Sequence, residues 1–372
     1  MDTVHQHTDK SKDNESQMKF NWKLQPILPD EYTRLPSLEK SFIGILKDKK
    51  NISKVIVDLT NSLPTPQHLK RCSGLRIYLA YVNKVNGSQT NLKALLVENG
   101  FDISLLEDDY EIADIPSVAP RTKAQMTYAL KYWPVNFHPN PYVEALISGS
   151  VFNDAQLRSL ETYMKIAICI AEKSAVGTKD CNGSAIIVDP VNGNILSMAA
   201  SSIDKHPMWH ASMLAIDLVA RLQGGGSWNL FNNAKDGTKI VESKYHNRMF
   251  PYYPECLNTK DSFPSESLLF KKPDQKNKNL KKKIDSKYEP YLCTGYWAIL
   301  LQEPCPLCAM ALLHSRVSRI FYGLSNPQTG ILGSQAILHS IPGLNHRYQV
   351  WSSLLLDTCR KTLEKCRWID GS

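Results

Sequence analysis

A Cys-x-x-Cys pair at the predicted start of a helix constrains the fold of this 372-residue chain more than any other feature. Cys305 and Cys308 follow an apolar run at residues 296–301, which predicts a buried strand, and they open a helix that extends to His314. Such a pair is typical of a thioredoxin-like redox site, of half a zinc site, or of two buried thiols. A thioredoxin-like protein carries the pair near the start of its domain, and a four-cysteine zinc site needs a second close pair, which this sequence lacks.

The remaining cysteines and the overall composition favour a protein of a reducing compartment. The polar segment at residues 1–17 has no apolar core and does not resemble a secretory signal. The longest apolar runs are far shorter than the roughly 20 residues of a membrane span, so we expect no membrane insertion. A net charge of +8 favours an anionic partner only weakly. An odd number of cysteines is scattered along the chain: Cys72, Cys169, Cys181, Cys256, Cys293, Cys305, Cys308, Cys359 and Cys366.

The pattern of apolar residues predicts two folded units. In chain order we expect a disordered tail (1–35), a small ferredoxin-like α+β module (36–115), a connector (116–150) and a larger α/β domain (151–372) with an insertion (224–288).

Within the first module, short strands and helices are predicted to alternate. The β-branched runs at residues 54–59 and 74–82 predict strands. The prolines of residues 64–71 are suited to a helix start, and residues 90–98 predict a helix that ends before Gly100.

The second domain begins with a strongly periodic helix, which Asn153 or Asp154 is expected to cap. Residues 184–189 and 194–198 then predict two strands joined by a hairpin turn, followed by the helix that carries His210. A further strand is predicted at residues 319–323.

The insertion at residues 224–288 lacks clear periodicity, and its last part is rich in lysine. Residues 271–287 hold eight lysines against two aspartates. Such a run is usually a solvated loop, and the alternative is an electrostatic contact for phosphate groups. His210 and Cys305 are 95 positions apart, and removing the 65-residue insertion leaves 30, which a helix, a loop and a strand require.

His210 thereby becomes a candidate third ligand. A helix bearing a histidine, followed by a strand and a Pro-Cys-x-x-Cys helix, is the arrangement of the zinc nucleobase deaminases. The two helices would meet at the metal by their N-terminal ends, which lower the pKa of thiols. His210, Cys305 and Cys308 are therefore predicted to bind Zn²⁺, and the alternative is a core histidine beside two buried thiols.

A longer stretch resembles a known family. Residues 294–323, TGYWAILLQEPCPLCAMALLHSRVSRIFYG, resemble the zinc-site segment of the tRNA adenosine deaminases. The stretches APRTKAQ (119–125), YWPVNFH (132–138) and LNHRYQVW (344–351), with the additional N-terminal module, resemble the non-catalytic subunit of the eukaryotic heterodimeric enzyme that makes wobble inosine in tRNA.

The resemblance implies a cytidine-deaminase-like α/β/α sandwich with a zinc site, in a protein of the nucleus and cytoplasm. It also implies a heterodimer with a catalytic tRNA adenosine deaminase subunit whose H-x-E motif is intact. We expect tRNA to be bound by the N-terminal module and by Lys281, Lys282 and Lys283.

In active members of this superfamily, the glutamate of H-x-E moves the protons of the deamination. Here the motif reads His210-Ala211-Ser212. A serine hydroxyl has no pKa near neutrality, so Ser212 cannot replace a carboxylate. We therefore expect no catalytic residue in this chain.

Other polar residues near the motifs are assigned minor roles. Glu303 is expected to orient a loop, and Asp217 lies roughly 10 Å further along the His210 helix by helical rise. His314, His339 and His346 are expected to pack internally or to face RNA.

The His210 helix also carries a candidate surface for the catalytic partner. We expect its apolar side to contact that subunit, and the alternative is that these residues fill the domain's own core: Met213, Leu214, Ile216 and Leu218. Two other functions stay open at this point, an independently active nucleoside or RNA deaminase and a zinc-stabilised RNA-binding scaffold.

Overall fold

Two β-sheets, of four and six strands, organise the computed structural model, which describes residues 20–228, 241–242, 249–250 and 291–369. The strands are β1 (Gln25–Pro26), β2 (Leu38–Ile45), β3 (Cys72–Ser73), β4 (Arg76–Tyr81), β5 (Glu111–Pro116), β6 (Val176–Gly177), β7 (Ser184–Val188), β8 (Ile195–Ala200), β9 (Val241–Glu242), β10 (Met249–Phe250), β11 (Trp297–Gln302), β12 (Arg319–Leu324), β13 (Gln349–Ser352) and β14 (Arg367–Trp368). The α-helices are α1 (Asp30–Thr33), α2 (Ile52–Ser62), α3 (Gln89–Glu98), α4 (Lys123–Ala129), α5 (Pro141–Ser148), α6 (Asp154–Ser174), α7 (Ala211–Leu222), α8 (Pro306–His314) and α9 (Leu356–Lys365).

The four-stranded sheet confirms the predicted ferredoxin-like module. Its elements follow the chain order β2-α2-β3-β4-α3-β5, and its strands are antiparallel in the order β3-β4-β2-β5. Apolar residues of α2 and α3 are buried against one face of this sheet, among them Val55, Leu59, Leu92 and Leu96.

Two predicted elements in this module are wrong. Residues 54–59 belong to helix α2 and not to a strand, because Val55 and Leu59, one turn apart, are buried while Val57 between them is exposed. The β-branched composition of this stretch imitates a strand. Residues 64–71 form no helix and turn back so that Leu69 pairs with Val135.

The predicted connector is largely part of the first unit. Helix α4 and Trp133 cover the second face of the four-stranded sheet, where Trp133 packs with Tyr78 and Ile115. The indole N–H of Trp133 donates a hydrogen bond to the carbonyl of Lys70 at 2.7 Å. The structured unit therefore extends about 20 residues beyond the predicted boundary at 115.

The six-stranded sheet confirms the predicted α/β/α sandwich. Its order is β1-β13-β12-β11-β7-β8, in which β11, β12 and β13 are parallel, β7 runs antiparallel to β11, and β8 runs antiparallel to β7. Helices α6 and α9 pack on one face of this sheet, and α7 and α8 pack on the other. The predicted cap of α6 is also present, since the Asn153 side chain accepts a hydrogen bond from the backbone of Gln156.

The predicted disordered tail is wrong for residues 20–35. Strand β1 pairs antiparallel with β13, and the Ile27 N–H donates to the carbonyl of Val350 at 2.9 Å. Leu24 is buried in the core on the α6 side, so this segment gains apolar burial and covers what would otherwise be an exposed sheet edge. Residues 1–19 lie outside the described part of the chain.

The insertion is described only at residues 224–228 and at one two-stranded ribbon, in which β9 and β10 pair antiparallel. The remainder of residues 229–290, including the lysine-rich run, lies outside the described residues. Among the helices that are described, none has the length and apolar character needed to cross a membrane.

Candidate metal centre

The N-terminal ends of α7 and α8 meet beyond the end of strand β11, in the middle of the six-stranded sheet. His210 is the residue immediately before α7, and Cys305 is the residue immediately before α8. Pro306 begins α8, where its missing N–H is not needed, and Cys308 follows in the first turn. Both helices are held on the sheet by buried apolar residues, such as Leu214 of α7 and Leu312 of α8.

The three predicted metal ligands are brought together. The Nδ1 atom of His210 lies 3.5 Å from the Sγ atom of Cys305 and 3.5 Å from the Sγ atom of Cys308. Both cysteines are buried, and His210 is half-buried.

A fourth donor, Cys181, completes the cluster. Its Sγ atom lies 3.9 Å from that of Cys308, and the donor atoms of all four residues lie within 4.8 Å of one another. Cys181 lies in the loop between β6 and β7 and is 127 positions from Cys308, so no local spacing reveals it.

One topological signal points to Cys181. Strand β7 is antiparallel to β11, and the first residues of β7 pair with the last residues of β11. The loop that precedes β7 therefore lies beside the C-terminal end of β11, from which the chain continues to Cys305. An antiparallel pairing of β7 with β11, if it could be predicted, would therefore place Cys181 beside Cys305.

The donor set fits a zinc ion. Tetrahedral zinc has Zn–S bonds of about 2.3 Å and Zn–N bonds of about 2.0–2.1 Å, which places neighbouring sulfurs about 3.8 Å apart and sulfur and nitrogen about 3.6 Å apart. The separations of 3.9 Å between two thiols and 3.5 Å between thiol and imidazole agree with these values. Three sulfurs and one imidazole favour zinc over hard cations such as magnesium.

The thiols also influence one another's ionisation. Hydrogen bonds with Cys181 and Cys308 lower the pKa of Cys305, whereas hydrogen bonds with Cys181 and Cys305 raise the pKa of Cys308. Metal binding requires deprotonated thiols, so a bound cation would favour the thiolate forms of these cysteines.

Ser212 lies two residues after His210, the position at which the resemblance described above implies the absent glutamate. It is buried in the first turn of α7. Its hydroxyl cannot exchange a proton near neutral pH, so this position supplies no general acid or base.

Glu303 has the loop-orienting role predicted for it. Its buried carboxylate accepts hydrogen bonds from the backbone N–H groups of Asn326 at 2.9 Å, Leu332 at 2.8 Å and Ser334 at 3.0 Å. The Ser334 hydroxyl also donates to it. An added Cβ at Gly330 would collide with this carboxylate, so the loop at residues 326–334 is folded closely around Glu303.

The other polar candidates lie apart from the cluster. Asp217 accepts hydrogen bonds from the Arg221 guanidinium at 3.0 Å and from the backbone of Ser227. The Nε2–H group of His339 donates to the carbonyl of Ile27 at 3.0 Å, and that of His346 donates to the carbonyl of Val317 at 2.7 Å. His314 is exposed at the end of α8.

The four apolar residues of α7 that were expected to contact the catalytic partner differ in burial. Leu214 and Leu218 fill the domain's own core, whereas Met213 and Ile216 are half-buried. Lys281, Lys282 and Lys283 lie outside the described residues.

No family model matches the chain. It is similar over most of its length to proteins named probable inactive tRNA-specific adenosine deaminase-like protein 3. The Danio rerio protein is 31% identical over 353 residues, with 91% of this chain and 93% of that protein covered. The Mus musculus protein is 29% identical over 362 residues, with 94% of each covered. An Arabidopsis thaliana protein, named tRNA-specific adenosine deaminase TAD3, is 27% identical over 305 residues and covers 69% of this chain and 75% of its own length. With this similarity over nearly the whole chain, the protein belongs to the family of the inactive tRNA-specific adenosine deaminase-like protein 3.

Proposed function

We propose that this chain is the catalytically deficient, zinc-binding subunit of a complex that converts adenosine to inosine at the wobble position of tRNA. One observation carries the proposal: the ligands His210, Cys305 and Cys308 converge at one point, while the position of the catalytic glutamate holds Ser212. The names of the relatives, inactive tRNA-specific adenosine deaminase-like proteins, support it.

The chemical reason for the deficiency lies in α7. When bound in an open site of this superfamily, zinc supplies a water molecule of lowered pKa. A carboxylate must then accept a proton and return it to the substrate, and Ser212 cannot do so. Loss of one general acid or base lowers a rate by about 10²- to 10⁴-fold.

In this proposal the chain contributes binding and architecture. His210, Cys305 and Cys308 join the ends of α7 and α8 through the metal, and Glu303 fixes the loop beside them. The catalytic partner supplies the intact H-x-E motif. The ferredoxin-like module and the lysine-rich run are proposed to contact tRNA phosphates, and the location in nucleus and cytoplasm stays a prediction.

The decisive experiment separates the subunits. The full chain alone, the catalytic subunit alone and the co-expressed complex are assayed for inosine at the wobble position of tRNA. We expect substantial conversion only by the complex. Replacement of the partner's H-x-E glutamate by glutamine should abolish conversion without loss of assembly or tRNA binding.

The matched variant in this chain is Ser212→Glu, which restores the motif in sequence. We expect the isolated variant to remain inactive, and the complex that contains it to keep its activity. An isolated wild-type chain, free of partner by mass spectrometry, that works at the rate of the complex would identify an independent deaminase. A catalytic subunit that works equally well without this chain would leave an RNA-binding scaffold as the remaining role.

A further inference from the structure

We propose that Cys181 is a fourth protein ligand that closes the zinc site, so that the bound ion holds no water molecule. The inference rests on the zinc binding proposed above and goes beyond the three ligands that the Cys-x-x-Cys pair and His210 supply. The deficiency at Ser212 concerns the residue that carries protons. The closed site instead concerns the zinc-bound water, which would be the nucleophile of the deamination.

The placement of the donors is that of a four-ligand site. In an open site, three protein ligands leave one corner of the tetrahedron for water. Here the Sγ atom of Cys181 lies within 4.8 Å of each of the other three donor atoms and 3.9 Å from the Sγ atom of Cys308. One ion can therefore contact all four donors with small adjustments, and no corner is left for solvent.

Both neighbours of Cys181 in the chain are fixed by hydrogen bonds. The carbonyl of Asp180 accepts from the Asn326 amide at 2.9 Å and from the Thr329 hydroxyl at 2.7 Å. The Asn182 side chain is buried, accepts from the Ser201 hydroxyl at 2.9 Å and donates to the carbonyl of Arg367 at 3.1 Å. Cys181 is thus held between two immobilised residues, as the ligands of a preorganised metal site are.

The loop before β7 is itself closely folded. The backbone groups of Thr178 and Cys181 exchange two hydrogen bonds of 3.2 Å. An added Cβ at Gly177 would collide with the Asn182 side chain, so this approach requires glycine.

The support of Cys181 is connected to that of Cys305. Glu303, two residues before Cys305, holds the backbone of Asn326, and Asn326 holds Asp180. One network therefore positions ligands from two segments that are more than a hundred residues apart in sequence.

A closed site with three thiolates and one imidazole is of the structural kind. The chain then has two separate deficiencies, the missing proton carrier at Ser212 and the missing water at the metal. Restoring the glutamate alone leaves the second deficiency in place.

The test counts the atoms around zinc. The purified full chain, loaded with zinc alone, is measured by zinc K-edge X-ray absorption, and we expect three sulfur neighbours and one nitrogen. In Cys181→Ser, two sulfurs and two lighter atoms are expected, and competition with a chelator should show zinc binding weakened by at least about tenfold. Cys169→Ser, which changes a half-buried thiol of α6 outside the cluster, should change neither measurement.

The wild-type count decides the question even if Cys181→Ser folds poorly. Two sulfurs and a bound oxygen in the wild-type protein, with no effect of Cys181→Ser on affinity, would overturn the closed site while the proposed zinc binding stands. Absence of zinc from the native protein would overturn both. Neither result alters the subunit assay, so failure of the proposed function is recognised separately.

Discussion

Arg71 in the ferredoxin-like unit and Glu303 in the six-stranded domain are two buried charged side chains, and each forms hydrogen bonds with several backbone groups. Arg71 is 8% exposed and Glu303 is 2% exposed. The Arg71 guanidinium donates hydrogen bonds to the carbonyls of Tyr78 at 3.1 Å, Leu59 at 3.0 Å and Leu63. It satisfies carbonyls at the end of α2 and joins that helix to β4, whereas Glu303 satisfies backbone N–H groups of a loop.

The two residues differ in what lies beyond their hydrogen bonds. Arg71 connects elements that carry no metal-binding cluster among the described residues, so its role ends with the fold of its unit. Glu303 lies two residues from Cys305, and through Asn326 it reaches Asp180 beside Cys181. Hydrogen bonding by a buried charged side chain therefore stabilises the fold in one unit and supports the residues of the proposed metal site in the other.

The largest effect is expected from Glu303→Ala. The substitution leaves two buried N–H groups, one partly buried N–H group and a hydroxyl without their acceptor, and each buried loss costs about 1–3 kcal/mol. We expect the free energy of unfolding to fall by at least about 3 kcal/mol and zinc affinity to fall as well. Chemical denaturation and chelator competition measure the two quantities.

Retained zinc affinity in a Glu303→Ala protein that is strongly destabilised would break the comparison, because Glu303 would then act like Arg71. Glu303→Gln is the matched variant of similar shape. It keeps one acceptor oxygen and should show an intermediate loss of both stability and affinity.

A smaller effect is expected from Arg71→Met, which keeps most of the side-chain volume. Burial lowers the pKa of Arg71, so part of the hydrogen-bond energy already offsets desolvation of the charge. We expect a loss of about 2–4 kcal/mol in stability, since three buried carbonyls lose a charged donor. Zinc content and zinc affinity should remain unchanged.

Arg76→Met on the same sheet is the control for Arg71→Met. Arg76 forms an exposed ion pair with Glu111 at 2.9 Å, and such pairs contribute about 0–1 kcal/mol. Loss of zinc from Arg71→Met would mean that the two units share one cooperative unfolding transition, and the comparison would fail.

A contrast between features set by nearby residues and features set by distant ones explains how much of the structure the sequence could predict. Local patterns correctly placed the helix of Asn153 and the strands at 184–188 and 319–324, and they singled out His210, Cys305 and Cys308, whose side chains lie in one cluster. Each depends on neighbours within a few positions or on one helix-strand unit. The stretch at 54–59 failed because its β-branched residues imitate a strand while its burial follows a helix.

Features that depend on distant pairing were not accessible in this way. Cys181 reaches the cluster only because β7 runs antiparallel to β11, and β1 is ordered only because β13 offers it an edge. The register between such strands is set by tertiary packing, and no spacing in the sequence encodes it. The boundary at residue 115 failed for the same reason, since Trp133 is buried by a sheet that precedes it.

The smallest effect is expected at His339, a third buried ionisable side chain. Unlike Arg71 and Glu303, it favours its neutral form, and it lies outside the metal-binding cluster. Burial lowers its pKa below 6.5, so the folded protein favours neutral imidazole, whose Nε2–H group holds the carbonyl of Ile27 next to β1. Below pH 6.5 the unfolded chain binds this proton more readily than the folded chain, so the contribution to stability is present above that pH and is lost as the pH falls. The slope from this single group cannot exceed about 1.4 kcal/mol per pH unit. His339→Gln retains an amide donor without the titration, and unfolding measured from pH 7.5 to 5.5 should show a shallower decline than in the wild type. Equal slopes in the two proteins would show that attachment of β1 does not depend on neutral His339.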